Sequence, residues 1–173
     1  MLGEFIDLDD PLNVIRKTVS CLNSELPFWW QDRDKDLIET LLYPATDSVD
    51  EWAREIVALH QIVVEGFADK GLRNVILNNN GQFDKEWRSL KLVEAYLGTI
   101  GLENSTAKLT VAPLRELHEL RNNVGAHSSP SRKREMVSAA RKEHQDLQSH
   151  FRYLAKQVAE ALVSICDYLT QKA

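Results

Sequence analysis

The chain has 173 residues, a formal net charge of −5, 43% hydrophobic residues and 27% charged ones. That length supports one domain with a sizeable core, and the balance is that of an ordinary globular protein, neither disordered nor fibrous. No apolar run approaches the ~18 residues that a membrane span needs, and the first residues lack the basic flank and apolar core of a secretory leader. Cys21 and Cys166 fall on or beside apolar stripes, which predicts buried thiols and no disulfide. No Cys/His cluster has zinc spacing, so neither metal nor cofactor is expected, and a cytoplasmic location fits.

Asp10-Pro11 is a helix start, with Asp as N-cap and Pro at the first helical position. Leu12, Ile15, Val19 and Leu22 follow on one face. Trp29 and Trp30 read as aromatic anchors for a connecting segment, in preference to base-stacking platforms. A short helix is predicted over 34–42, stopped by Pro44. Ser48-Val-Asp-Glu51 is a capping box. Behind it Trp52, Ile56, Leu59 and Val63 share a face, with Gly71 as the expected stop. Residues 72–77 offer a further turn or two, and 78–81 (Asn-Asn-Asn-Gly) read as a turn. Phe83, Trp87, Leu90, Val93 and Leu97 predict the next helix, ended by Gly101. A polar connection around 103–108 then leads to Pro113, placed at the start of another helix. After a loop at 128–131, one long helix is predicted over 132–171, with a bend before His144, and with His144 and His150 on its surface. Residues 1–173 thus read as a single all-α domain. It is expected to be an up-and-down helical bundle with a four-helix core and additional short helices.

Residues 114–127 read L-R-E-L-H-E-L-R-N-N-V-G-A-H. Leu114, Leu117, Leu120 and Val124 make an apolar stripe, and Arg121 projects between Leu114 and Leu117. A guanidinium in that position needs an anionic partner, a ligand, or a route to water. Gly125 gives the helix a stop, beyond which the backbone can turn His127 back toward Arg121. His118 lies near Leu114 on the wheel and borders the same region. Charge is unevenly spread. Residues 1–51 carry twelve acidic and four basic side chains, whereas 121–142 carry six basic and one acidic. In that basic segment Arg132, Lys133 and Arg134 are candidate RNA-binding residues, against the plainer reading of a solvated face.

Arg121, the polar Asn122 directly after it, and His127 five residues further on resemble the signature of the HEPN superfamily. That resemblance implies a HEPN-type all-α fold, a metal-independent ribonuclease, and Arg121, Asn122 and His127 as catalytic residues. It also implies a toxin or abortive-infection effector, a homodimer that pairs two motifs, and a possible antitoxin partner. Arg54 and His60 repeat the same spacing. Arg54, however, precedes Glu55, and no Gly or Pro interrupts the stretch between the two. The pair therefore sits ~120° apart on one continuous helix and reads as ordinary helix residues.

The chemistry open to the later pair is attack of a ribose 2′-hydroxyl on the adjacent phosphorus, leaving a 2′,3′-cyclic phosphate and a 5′-hydroxyl. His127 can take or give a proton near neutral pH. Arg121 is permanently charged and suits the non-bridging phosphate oxygens. Asn122 can bind phosphate or orient the histidine. One histidine is short of an acid–base pair, which the dimer would complete. Two alternatives stay open: a non-catalytic HEPN-like module that binds nucleotide, RNA or protein, and a helical interaction protein in which the motif is accidental.

Overall fold

A computed structural model describes residues 10–125 and 129–170. Among these are eight α-helices: α1 Pro11–Glu25, α2 Lys35–Thr40, α3 Val49–Val63, α4 Asp69–Asn78, α5 Ser89–Thr99, α6 Asn104–Val124, α7 Pro130–His144 and α8 Leu147–Thr170. A single 3₁₀ turn, Val64–Gly66, follows α3. No strand occurs among the described residues, apart from an isolated bridge between Trp30 and Phe67. No described helix is long and apolar enough to cross a membrane.

Several helix starts follow local chemistry. Asp10 accepts from the Asn13 amide, Asp34 from Asp36 and Leu37, and Ser48 from Glu51. The capping box is half formed, because the Glu51 carboxylate turns outward to the amides of Ala45 and Thr46. The Thr46 hydroxyl, which also donates to it, and then those amides hold its carboxyl below the usual range.

Helices α1, α3, α6 and α8 make the central bundle, with α4 and α5 as a hairpin against α6, and α7 across α6 and α8. The alternation is not strictly up-and-down. Tyr43 donates to Asp10 at 2.7 Å, Arg152 covers the Tyr43 ring at 4.3 Å, and Gln148 donates to Ala45 at 2.8 Å. These contacts gather the starts of α1, α3 and α8 at one end. The return from α1 to α3 is made by α2 and irregular chain, so α1 and α3 run the same way. Helix α6 opposes α3: His118 meets His60, while Val124 lies beside Ala53 and Val57 farther back along α3.

Four boundaries depart from the sequence reading. Gly71 lies inside α4, where a Cβ would sit 1.5 Å from the Phe28 carbonyl oxygen; the glycine serves close packing and does not end a helix. Trp29 and Trp30 are buried there against Phe67, as the anchors expected. Helix α5 begins only at Ser89, since Asp84–Trp87 closes as a turn that Arg73 pins through the Lys85 and Trp87 carbonyls. Helix α6 begins at Asn104 and carries Pro113 inside it. Pro113 cannot donate to the Leu109 carbonyl, but Leu109 is solvent-facing while Val111, Leu114 and Leu117 are fully buried, so packing overrides the break.

The long C-terminal helix is two helices. Gln145 adopts φ 75°, and the chain reverses between α7 and α8. Asp146 caps the new start by accepting from Ser149 at 2.6 Å. Asp47, from the loop before α3, accepts from the Leu147 amide at 2.7 Å and pairs with Arg141 at 2.9 Å. Cys21 is exposed, not buried, with its thiol donating to Glu25, while Cys166 is half-buried.

His150 is buried, not at the surface as expected, and accepts from the Trp52 indole N–H through Nδ1 at 3.1 Å. An indole can only donate, so this imidazole carries its proton on Nε2. Burial, helped by nearby His144, holds its pKa down at about 4. His144 is half-buried, its ring 5.1 Å from that of His150.

Gly71→Ala should destabilise the fold by ~3 kcal/mol, the order of severe overpacking, because backbone and not a flexible side chain blocks the new methyl. Urea unfolding followed by tryptophan fluorescence measures it, and a wild-type midpoint would contradict the packing described. His150→Leu should cost about 1–3 kcal/mol at pH 7 by orphaning the Trp52 N–H. As pH falls from 6.5 toward 4, the unfolded wild type gains a proton at His150 that the folded state refuses. Wild type therefore loses stability through His150 there, a loss that the variant lacks. The gap between them should narrow at pH 4.5; a wider gap would refute the assignment.

Candidate active site

The last two turns of α6 carry the site. Gly125 ends the helix with extended backbone, φ −66° and ψ 171°, and its N–H closes on the Arg121 carbonyl at 3.0 Å. Arg121 is half-buried at the flank of the stripe, and Asn122 is exposed beside it. Among the described residues no carboxylate comes within ion-pair distance of Arg121; its Nη1 donates to Asn122 Oδ1 at 3.2 Å. His127 lies outside the described residues.

The same amide reaches back one turn. Asn122 Nδ2 is 3.1 Å from Nε2 of His118, and Nδ1 of His118 is 2.9 Å from Nε2 of His60 on α3. Glu65, on the 3₁₀ turn after α3, places Oε1 3.4 Å from Nδ1 of His60. That approach is too poorly aligned for a hydrogen bond, so the buried nitrogen has a carboxylate nearby without a formed bond. Arg33, on the segment before α2, faces the same carboxylate at 3.8 Å.

The polarity of this series follows from its one permanent donor. Arg121 has no lone pair to offer, so the atom facing it must be the Asn122 oxygen. The amide NH₂ then faces His118, whose Nε2 must accept. The His118 proton therefore sits on Nδ1 and is donated to His60. His60 Nε2 accepts it, which leaves the His60 proton on Nδ1, the nitrogen nearer Glu65. The opposite assignment would set the amide NH₂ against the guanidinium.

Both imidazoles are held neutral. His60 is 4% exposed, and burial first, then His118 and Arg121, press its pKa down to about 4. His118 is exposed at its edge, and it too is lowered, by partial burial and then by Arg121. At neutral pH His118 thus presents a basic nitrogen next to a fixed cation.

His60 is accordingly not an ordinary helix residue. Arg54 is: its side chain is 69% exposed and pairs with neighbouring Glu55. His60 and Glu65 were missed because their partner lies far along the chain. The available signal was a histidine between Ile56, Leu59 and Val63, where a buried polar group needs a partner.

A groove of ≈ 580 Å³ runs between α2, α3 and the end of α6, lined by Thr40, Asp50, Arg54, Gln61, Gly125 and Lys133 among others. It takes in Gln61, next to His60, and Gly125, whose N–H bonds Arg121. Of the basic residues read for RNA, Lys133 pairs with Asp50 at 3.6 Å, and Arg132 pairs with Glu135 at 3.0 Å and Glu119 at 3.8 Å. Arg134 is exposed at the start of α7. Such surface pairs are each worth ~0–1 kcal/mol and would yield readily to phosphate. Among the described residues no three His, Cys, Asp or Glu side chains gather as metal ligands would.

Set against protein-family models, against curated proteins and against solved structures, the chain finds no match.

Proposed function

We propose that this chain is a metal-independent endoribonuclease with a HEPN-type bundle, acting as a toxin or defence effector. The observation that carries the reading is the Arg121–Asn122–His118 series: a cation without a carboxylate partner among the described residues, joined by one amide to an exposed neutral imidazole. Arg121 would bind non-bridging oxygens of the scissile phosphate. His118 Nε2, exchanging the Asn122 amide for substrate, would take the 2′-hydroxyl proton. The oxygen keeps the O–H electron pair and closes on phosphorus, and the 5′-oxygen departs with its bonding pair and receives a proton. His127, by its place in the motif, is the proposed donor of that proton. His118 thereby offers a second imidazole from the same chain, so the proposed homodimer is no longer required to supply one. Its proposed role becomes the gathering of two basic α7 helices around RNA. An antitoxin partner belongs to the same proposal.

A second reading has its own support. Both ring nitrogens of His118 are engaged within the chain, which suits a pocket that binds a nucleotide phosphate without cutting.

Incubation of the purified protein with RNA, with and without chelator, separates the two. Cleavage should proceed in excess chelator and leave 2′,3′-cyclic phosphate and 5′-hydroxyl ends. His118→Ala and His127→Ala should each lower the rate on the order of 100-fold while the protein stays folded, as expected for loss of an acid–base group. RNA binding without cleavage would favour the second reading. Activity lost to chelator and restored by magnesium would exclude the proposed chemistry.

A further inference from the structure

We infer that His60 is a positioning residue, which holds His118 in the tautomer that keeps its proton on Nδ1 and leaves a lone pair at the solvent-facing Nε2. In its consequence for catalysis this rests on the ribonuclease reading; in its consequence for the imidazole it stands alone.

In water a neutral imidazole favours the proton on Nε2. His118 in isolation would therefore present a donor where the proposed chemistry needs a base. The fold reverses that preference from both sides. Asn122, polarised by Arg121, directs an N–H at Nε2. That bond must break when substrate enters, so it cannot hold the tautomer during reaction. The contact on the other edge can persist: His60 Nε2 lies 2.9 Å from His118 Nδ1, on a side chain that is 4% exposed and packed on α3.

For His60 to accept there, its own proton must stay on Nδ1. The groups that face it agree. Glu65, from the 3₁₀ turn, sets a carboxylate 3.4 Å from Nδ1. Arg33, from the segment before α2, anchors that carboxylate and donates to the Glu65 carbonyl at 3.4 Å. Burial first, then His118 and Arg121 from α6, disfavour a positive charge on His60. When His118 Nε2 takes a proton, Nδ1–H continues to donate to His60, whose own Nδ1 lies 3.4 Å from the Glu65 carboxylate. The new positive charge is thus met by an acceptor at once, and the carboxylate stands behind it. His60 touches no substrate in this scheme.

The test uses the full chain with ¹⁵N-labelled histidine and two-bond ¹H–¹⁵N correlation spectra, with the His118 signals assigned by their loss in His118→Gln. Wild type should show His118 with Nδ1 protonated and Nε2 bare. His60→Leu removes the acceptor, and His118 should move toward the Nε2-protonated form. His60→Gln keeps an acceptor oxygen toward His118 and an N–H₂ toward Glu65, so it should retain the wild-type pattern. In RNA cleavage, His60→Leu should lower kcat on the order of 100-fold with little change in KM, the behaviour of a group that sets a tautomer; His60→Gln should recover most of the rate. A His118 tautomer unchanged in His60→Leu overturns the inference, whatever the activity. If His60→Leu does not fold, an Nε2-protonated His118 in His60→Gln overturns it equally. A tautomer shift in a protein that leaves RNA intact supports the role of His60 and rejects the ribonuclease reading alone.

Discussion

A guanidinium can donate hydrogen bonds but cannot accept them. From Arg121 that one-way character passes through Asn122 and His118 to His60 and stops at a carboxylate. Each member has one permitted orientation because its neighbour has one. Buried networks are stabilising when every group finds its complement and costly when one does not. Here a single mismatch remains, the imperfect approach of Glu65 to His60, and it lies at the end where the carboxylate side chain is partly exposed. The antiparallel packing of α3 on α6 is what allows the series to exist, since it sets residues 60 and 118 side by side.

Charge distribution follows a similar logic at lower cost. The acidic excess of the first third and the basic excess around α7 are matched in space. Asp47 and Asp50 reach Arg141 and Lys133 across the start of α3. The excess of basic residues is thus partly neutralised in the folded chain, by bonds weak enough for a polyanion to displace. Glu94 is a different case, since its burial alone would raise the carboxyl. Lys91 at 2.7 Å and Arg115 outweigh that effect and hold it ionised, tying α5 to α6.

The sequence is most legible where one residue determines its own surroundings. Asp10-Pro11, Asp34, Ser48 and Gly101 act within a turn of themselves, and each marks the boundary expected of it. Legibility fails where a distant group decides. Pro113 reads as a start, yet it is carried inside α6 by buried Val111 on one side and buried Leu114 and Leu117 on the other. Gly71 reads as a stop, yet it is required by the Phe28 backbone, which no local pattern reveals. The candidate site divides the same way. Arg121 and Asn122 are adjacent and visible as a motif, whereas His60 becomes meaningful only once α3 and α6 are packed. His150 was misplaced for the same reason: its partner Trp52 is nearly a hundred positions earlier.

Asp47 has a consequence for how the chain reaches this structure. It completes the first turn of α8 by accepting the Leu147 amide, across a sequence separation of 100 residues, and binds Arg141 from α7 in the same grip. Helices α7 and α8 are neighbours in sequence, but their junction is finished by the opposite end of the chain. A ribosome would release the loop before α3 long before α8 exists, so this corner closes only after synthesis of the C-terminal helix. Closing so long a loop is entropically expensive and kinetically late. The junction of α7 and α8 is thus completed only when Asp47 and Leu147 meet, and α7, which presents the basic side chains, borders it.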